Sequence, residues 1–191
     1  MIYHSLIVKD NIDKISDCLN QYYNLERDTL FWEDMFEDYN YELICKGFDS
    51  DADRLWMGCN DDKSEMEIAF VTDFQQFYDL IFFLEDKFHV TVEWLIDDDD
   101  QWITNDMDKS LMVDDYVIVD LEYGDAEGIS VDDTQELIAY LYEEFVNSKM
   151  LTKEDIENHD FSEPLEDEWY MVYKVKRITT EELKKILTEE E

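Results

Sequence analysis

Fifty-two aspartates and glutamates stand against fifteen lysines and arginines in this chain, and the formal charge of −37 over 191 residues limits what it can fold into. Charge that far from zero keeps a protein soluble but works against compactness through self-repulsion. Disorder would be one escape, yet disordered chains are poor in apolar residues. Here 45% of residues are hydrophobic, with 11 Phe, 12 Tyr and 5 Trp, one proline and four glycines. The chain is expected to fold around a proper core with its acids outside. A salt-adapted protein could share the acidity, but the abundance of bulky aliphatic and aromatic residues argues against that origin.

The acids are unevenly placed. From Phe88 to Ser148 there are 18 acids and a single base, Lys109. Within that stretch the apolar run VTVEWLI leads directly into Asp97-Asp98-Asp99-Asp100. Like charges a few ångströms apart repel even in water. Either an external cation compensates this tract or it is a solvated turn. The bases Lys174, Lys176, Arg177, Lys184 and Lys185 cluster near the C-terminal end, where they neutralise the acids of Glu181–Glu191. So small a patch does not draw nucleic acid to a chain of this charge, because nucleic-acid affinity is dominated by phosphate neutralisation. Direct nucleic-acid binding is excluded as an expectation.

Cys18, Cys45 and Cys59 are odd in number and lack CxxC spacing, which disfavours a disulfide framework or zinc site and suits a reducing cytoplasm. MIYHSLIVKD has no basic start and no small-residue cleavage site, so it reads as a first strand. The all-apolar run Leu80–Leu84 is far below a membrane span. A bacterial host cytoplasm is the expected location, with no membrane contact.

Apolar periodicity predicts alternating element types. Strands are expected over Ile2–Val8, Tyr41–Phe48, Leu55–Cys59, Met66–Val71, Val90–Ile96, Tyr116–Tyr123 and Trp169–Ile178. A helix capped by Asp10 carries Ile12, Ile15, Leu19 and Tyr22, and a second spans Thr29–Tyr39. A third, capped by Thr72 or Asp73, aligns Phe74, Phe77, Ile81, Leu84 and Phe88 in one stripe. Further helices are expected over Val131–Asn147 and from Thr152. Thr179-Thr180-Glu181-Glu182 has the capping-box form that starts a last one. Strand runs interrupted by helices favour an α+β fold: a mostly antiparallel sheet packed with several helices under a strongly acidic surface. One compact domain over residues 1–191 is expected, with residues 60–72 as a point of subdivision.

Motifs for chemistry are absent where they would count. Asp49-Ser50-Asp51-Ala52-Asp53 opens like a calcium loop, but Arg54 stands where glycine is needed and Asn60 where glutamate is needed. Glu85-Asp86-Lys87 is only superficially like a nuclease metal site. His4, His89 and His159 are isolated, and Gly124 and Gly128 flank what reads as a turn, so no phosphate loop or nucleophile–base pair is legible. No catalytic residue, cofactor or metal is expected, and the protein is not expected to be an enzyme; carboxylate-held metal hydrolysis through Asp120 and Glu122 is the exception considered.

On a strand, Asp120 and Glu122 would lie on one face roughly 6.6 Å apart. A compact domain of this length has a radius of gyration of roughly 16 Å. Over the corresponding span of about 40 Å a duplex displays roughly 24 phosphates, fewer than the net charge here. The leading expectation is a nucleic-acid mimic, encoded by a phage or mobile element, that occupies the basic channel of a defence nuclease such as a CRISPR effector or restriction enzyme. The partner-binding candidates are Asp97, Asp98, Asp99, Asp100, Asp106, Asp108, Asp114, Asp115, Asp120, Glu122, Asp125 and Glu127. Trp102 is placed beside them as an aromatic anchor, with a core position on a strand as its alternative. The other expectation is an acidic immunity, antitoxin-type or regulatory protein that docks on one basic partner through a localised patch with aromatic anchors.

Overall fold

The computed structural model describes residues 1–45, 52–73, 76–98, 101–105, 114–122, 126–131, 139, 152–166 and 170–189. The chain is α+β, with mostly antiparallel strand pairing. It divides into two compact units: Met1–Asp99 with Ile178–Glu191, and Asp100–Arg177. Residues 60–72 lie inside the first unit, in a hairpin.

The first unit holds strands β1 (Ile2–Val8), β2 (Tyr23–Asn24), β3 (Thr29–Leu30), β4 (Ala52–Cys59), β5 (Met66–Thr72) and β6 (Val92–Asp98), in the order β2-β3-β4-β5-β1-β6. All their pairings are antiparallel; β1 is paired on both sides, with Leu6 opposite Ile68 on one and Trp94 on the other. Alternate residues of these strands (Leu6, Val8, Ile68, Phe70, Trp94 and Ile96) are fully buried. This is the period-2 pattern of a sheet with one face on a core.

Helices α1 (Ile12–Tyr22), α2 (Trp32–Asp38), α3 (Tyr78–Phe88) and α5 (Thr180–Glu189) belong to the same unit. The expected stripe on α3 understates its burial. Every residue from Tyr78 to Leu84 is buried, so the first two turns of this helix are covered on all sides, while Asp86 in its last turn is exposed. Its neighbours form an aromatic cluster: Phe83 lies 5.0 Å from Phe36 and 5.5 Å from Tyr41, and Phe77 lies 5.4 Å from Trp32. Offset and edge-on aromatic pairs of this kind add to the area they bury.

Several local expectations change. Asp10 does not cap α1; Asn11 sits at the N-cap with φ 55° and makes no capping bond, and its amide donates instead to the Phe88 carbonyl at 2.9 Å. The second helix is shorter than Thr29–Tyr39, because Thr29 and Leu30 pair with Tyr23 and Asn24 as strand. Residues 41–45 form no strand; Phe74 lies outside the described residues. His89 does not start a strand but ends α3 in the left-handed region with φ 54°. The capping box of α5 forms as its spacing demands. Thr179 Oγ1 accepts the Glu182 N–H at 3.1 Å, and Glu182 Oε2 accepts the Thr179 N–H at 2.8 Å.

The second unit contains β7 (Gln101–Thr104), β8 (Asp114–Asp120), β9 (Ala126–Val131), α4 (Lys153–Asn158), β10 (Leu165–Glu166) and β11 (Tyr170–Arg177). β11 pairs antiparallel with β8 and β10 and parallel with β7, and β8 continues to β9. β7 and β9 were not legible as strands, and Ala126, Glu127 and Gly128, read as turn, belong to β9. The expected helix over Val131–Asn147 falls almost wholly outside the described residues; Val131 itself ends β9.

Candidate partner-binding surface

The first half of the tetra-aspartate tract is strand. Asp97 and Asp98 are the last residues of β6 and half-buried, whereas Asp99, Asp100, Asp106, Asp108 and Asp125 lie outside the described residues. Asp114 and Asp115 sit on β8 opposite Val131 and Ser130, and Glu127 on β9 is opposite Ile118. Trp102 takes the second of its two expected positions: it is 2% exposed on β7. It is core, not an anchor presented to solvent.

Asp120 and Glu122 do not share a strand face. β8 ends at Asp120, whose Oδ1 accepts the Glu122 backbone N–H at 2.8 Å while Glu122 projects from the turn. The Asp side chain ends the strand by offering the backbone a local turn.

Outside this predicted set, the first unit carries exposed carboxylates on its helices: Asp13 and Asp17 on α1, and Glu33, Asp34, Glu37 and Asp38 on α2. Neither helix has a base in its last turn. Glu33–Glu37 and Asp34–Asp38 are like-charge pairs one turn apart, an arrangement that disfavours a helix in isolation. Asp38 accepts the Tyr22 hydroxyl at 2.7 Å, and that bond pushes the Tyr22 pKa up to about 12. The bases nearby are engaged locally: Lys9 with Glu93 at 3.0 Å, Lys63 with Asp13 at 3.6 Å, and Lys87 with Asp86 at 3.0 Å. Lys184 of the C-terminal basic group packs over the Phe82 ring at 4.7 Å.

An exposed aromatic that sequence reasoning missed is Trp56, which is 55% exposed on β4. Asp53 is opposite Val71 but Trp56 is opposite Ala69, so β4 holds one residue more than β5 between those pairs. Arg54 occupies the bulge in the left-handed region with φ 51°, and its N–H is held by the Asp28 carbonyl at 2.8 Å. A bulge of one residue reverses which side chains face the core. Ala52 points in and Leu55 points in, and Trp56 is thereby turned out. Its ring lies across Gly58, two residues on, where an added Cβ would fall inside van der Waals contact of ring carbons Cη2 and Cζ2. Gly58 is opposite Glu67, and Glu67 Oε1 accepts the Ser5 hydroxyl at 2.8 Å. The W-x-G spacing on a strand was the available signal.

Buried acids on α3 have structural partners. Asp79, 1% exposed on α3, accepts the Ile44 N–H at 2.7 Å, the Cys45 N–H at 2.9 Å and the Tyr41 hydroxyl at 3.2 Å. Burial first, then the Asp79 charge, raises the pKa of both Tyr41 and Cys45, so the Cys45 thiol is a poor nucleophile. Burial raises Glu85 as well; this carboxylate accepts the Val92 N–H at 3.4 Å. Among the described residues no three His, Cys, Asp or Glu side chains converge as a metal site, and no helix is long and apolar enough to cross a membrane. Of the calcium-like loop, residues 49–51 lie outside the described residues, and Ala52–Cys59 run as strand β4, not as a loop.

Comparison with protein-family models, curated proteins and solved structures found no match to this chain.

Proposed function

We propose that the protein is a nucleic-acid mimic, encoded by a phage or mobile element, that acts in the bacterial cytoplasm by occupying the basic channel of a defence nuclease of the CRISPR-effector or restriction type. The observation that carries this reading is uncompensated charge. With 52 acids and 15 bases, pairing every base with one acid leaves 37 carboxylates without a cation of their own. Exposed acids on α1 and α2, and Asp61 and Asp62 between β4 and β5, spread that charge over separate elements of one unit. Repulsion among them is relieved when a Lys- and Arg-lined channel supplies the cations, just as it is for phosphates. No chemistry is assigned to the chain itself in this role, and it needs neither cofactor nor metal.

A second reading, an immunity or antitoxin-type protein on one basic partner, is favoured by Trp56, since Trp is enriched among the residues that dominate binding energy at interfaces. The two separate in a competition assay. A mimic displaces labelled DNA or guide RNA from the nuclease that it captures from a host lysate, and loses affinity steeply as salt rises. Capture of a basic protein whose nucleic-acid binding is unchanged would favour the second reading. Failure to retain any basic partner at low salt would overturn both.

A further inference from the structure

We infer that Trp56 and Glu67 form a receptor for an arginine side chain presented by a basic partner protein. The inference rests on the proposed function only for the basic character of that partner; the site itself stands on its geometry. The bulge at Arg54 turns the Trp56 ring out of the core, and the missing side chain of Gly58 lets the ring lie against the strand. Trp56 is thus held with one face in solvent, at 55% exposure, and makes no aromatic or cation–π contact with the described residues. Directly across from Gly58 on the same face is Glu67, whose Oε1 is fixed by Ser5 at 2.8 Å. Ala69, opposite Trp56, keeps the surface between them low.

An open indole face beside an oriented carboxylate matches one common side chain closely. Arginine stacks its flat guanidinium on an aromatic ring while its N–H groups point sideways to a carboxylate. Lysine, a compact and strongly hydrated charge, can engage either group but not both in that geometry. Charge excludes the other occupants: a second copy would bring another −37 to the face, and nucleic acid has the wrong sign.

The test uses the intact protein with octa-arginine and octa-lysine peptides as probes. The Trp56 indole N–H resonance is identified by its disappearance in Trp56→Phe. General attraction to an acidic protein is shared by the two peptides, so the arginine-to-lysine affinity ratio isolates the receptor. Octa-arginine is expected to move the Trp56 resonance and to bind more tightly than octa-lysine. Trp56→Ala should cut octa-arginine affinity roughly 2- to 5-fold, the size of an exposed cation–π contact. Glu67→Gln, which keeps the Ser5 bond, should lower the ratio without disturbing the melting curve, and decides the matter if Trp56→Ala is poorly folded. Equal affinities with an unmoved Trp56 resonance would overturn the inference. So would a resonance that shifts with protein concentration alone, which would assign the face to a second copy. If Trp56→Ala still displaces nucleic acid fully and no arginine preference exists, the receptor fails and the mimic stands. If the wild type displaces nothing yet prefers arginine through Trp56, the mimic fails and the receptor stands.

Discussion

The Nε2 atom of His4 lies 3.1 Å from Oγ1 of Thr72, across the β1–β5 pair, and the other ring nitrogen is buried without a hydrogen-bond partner among the described residues. The imidazole stacks on Phe70 at 4.5 Å, and burial lowers its pKa from 6.5 to about 3. Between those values the unfolded chain binds a proton that the folded chain refuses. His4 therefore favours folding fully above about pH 6.5 and progressively less as pH falls towards 3. Most carboxylates neutralise near their ordinary values of about 4, and Glu85, raised by burial, is common to both proteins, so the difference between wild type and His4→Phe from pH 6.5 to 5 reports the histidine. The melting temperature of the wild type should fall across that interval relative to that of His4→Phe. Parallel curves would refute the assignment.

Asp79 is expected to be the most sensitive polar position on α3. Asp79→Ala leaves the Ile44 and Cys45 amides without their acceptor, and each stranded group costs about 1–3 kcal/mol. A total loss of roughly 2–6 kcal/mol should appear in urea unfolding. Hydrogen exchange at Ile44 and Cys45 should accelerate more than at β1. Asp79→Asn, which keeps one acceptor oxygen, should cost less.

Gly58→Ala should leave the fold intact, because the new methyl meets only the movable end of the Trp56 side chain. The ring must swing away from the strand. Indole emission should shift, and any preference for arginine peptides should drop towards that of Trp56→Ala. Unchanged emission would mean that Gly58 does not seat the ring.

Neutralising two separate acid groups discriminates between the proposed roles. Asp97–Asp100 changed together to asparagine, and Glu33, Asp34, Glu37 and Asp38 changed to their amides, each remove four charges. Exposed pairs contribute about 0.2–1 kcal/mol apiece, so each set should weaken partner binding by roughly 1–4 kcal/mol if it meets the partner. A mimic that fills a long channel should suffer from both changes. A localised interface should suffer from one. The α2 variant should also gain a few tenths of a kcal/mol in stability, as two like-charge pairs are relieved.

Much of the fold is written locally. The strands β1, β5 and β11 and the helices α1, α3 and α5 follow from apolar spacing and, for α5, a capping box. These are properties of a few consecutive residues. β7 and β9 carry no such signal: QWIT is four residues long and AEGISV contains a glycine. They are strands because β11 and β8 supply hydrogen-bonding partners. The candidate surface was less legible than the fold. Carboxylates are so abundant that no subset stands out, and the sequence does not say whether a tryptophan on a strand points in or out.

The sequence by itself determined that the chain must fold with an excess of carboxylates that no internal cation can match, and where its most periodic elements lie. Only the tertiary structure decided which of Trp56 and Trp102 reaches solvent. Strict alternation from the buried Ala52 would have put Trp56 in the core; instead Trp102 is buried and Trp56 is exposed. The switch is the extra residue at Arg54, whose left-handed backbone is held by a carbonyl at Asp28. A side chain's facing on a strand has period two, so one inserted residue reverses it. Whether the insertion is tolerated depends on a hydrogen bond from a segment distant in the chain, which no local pattern records.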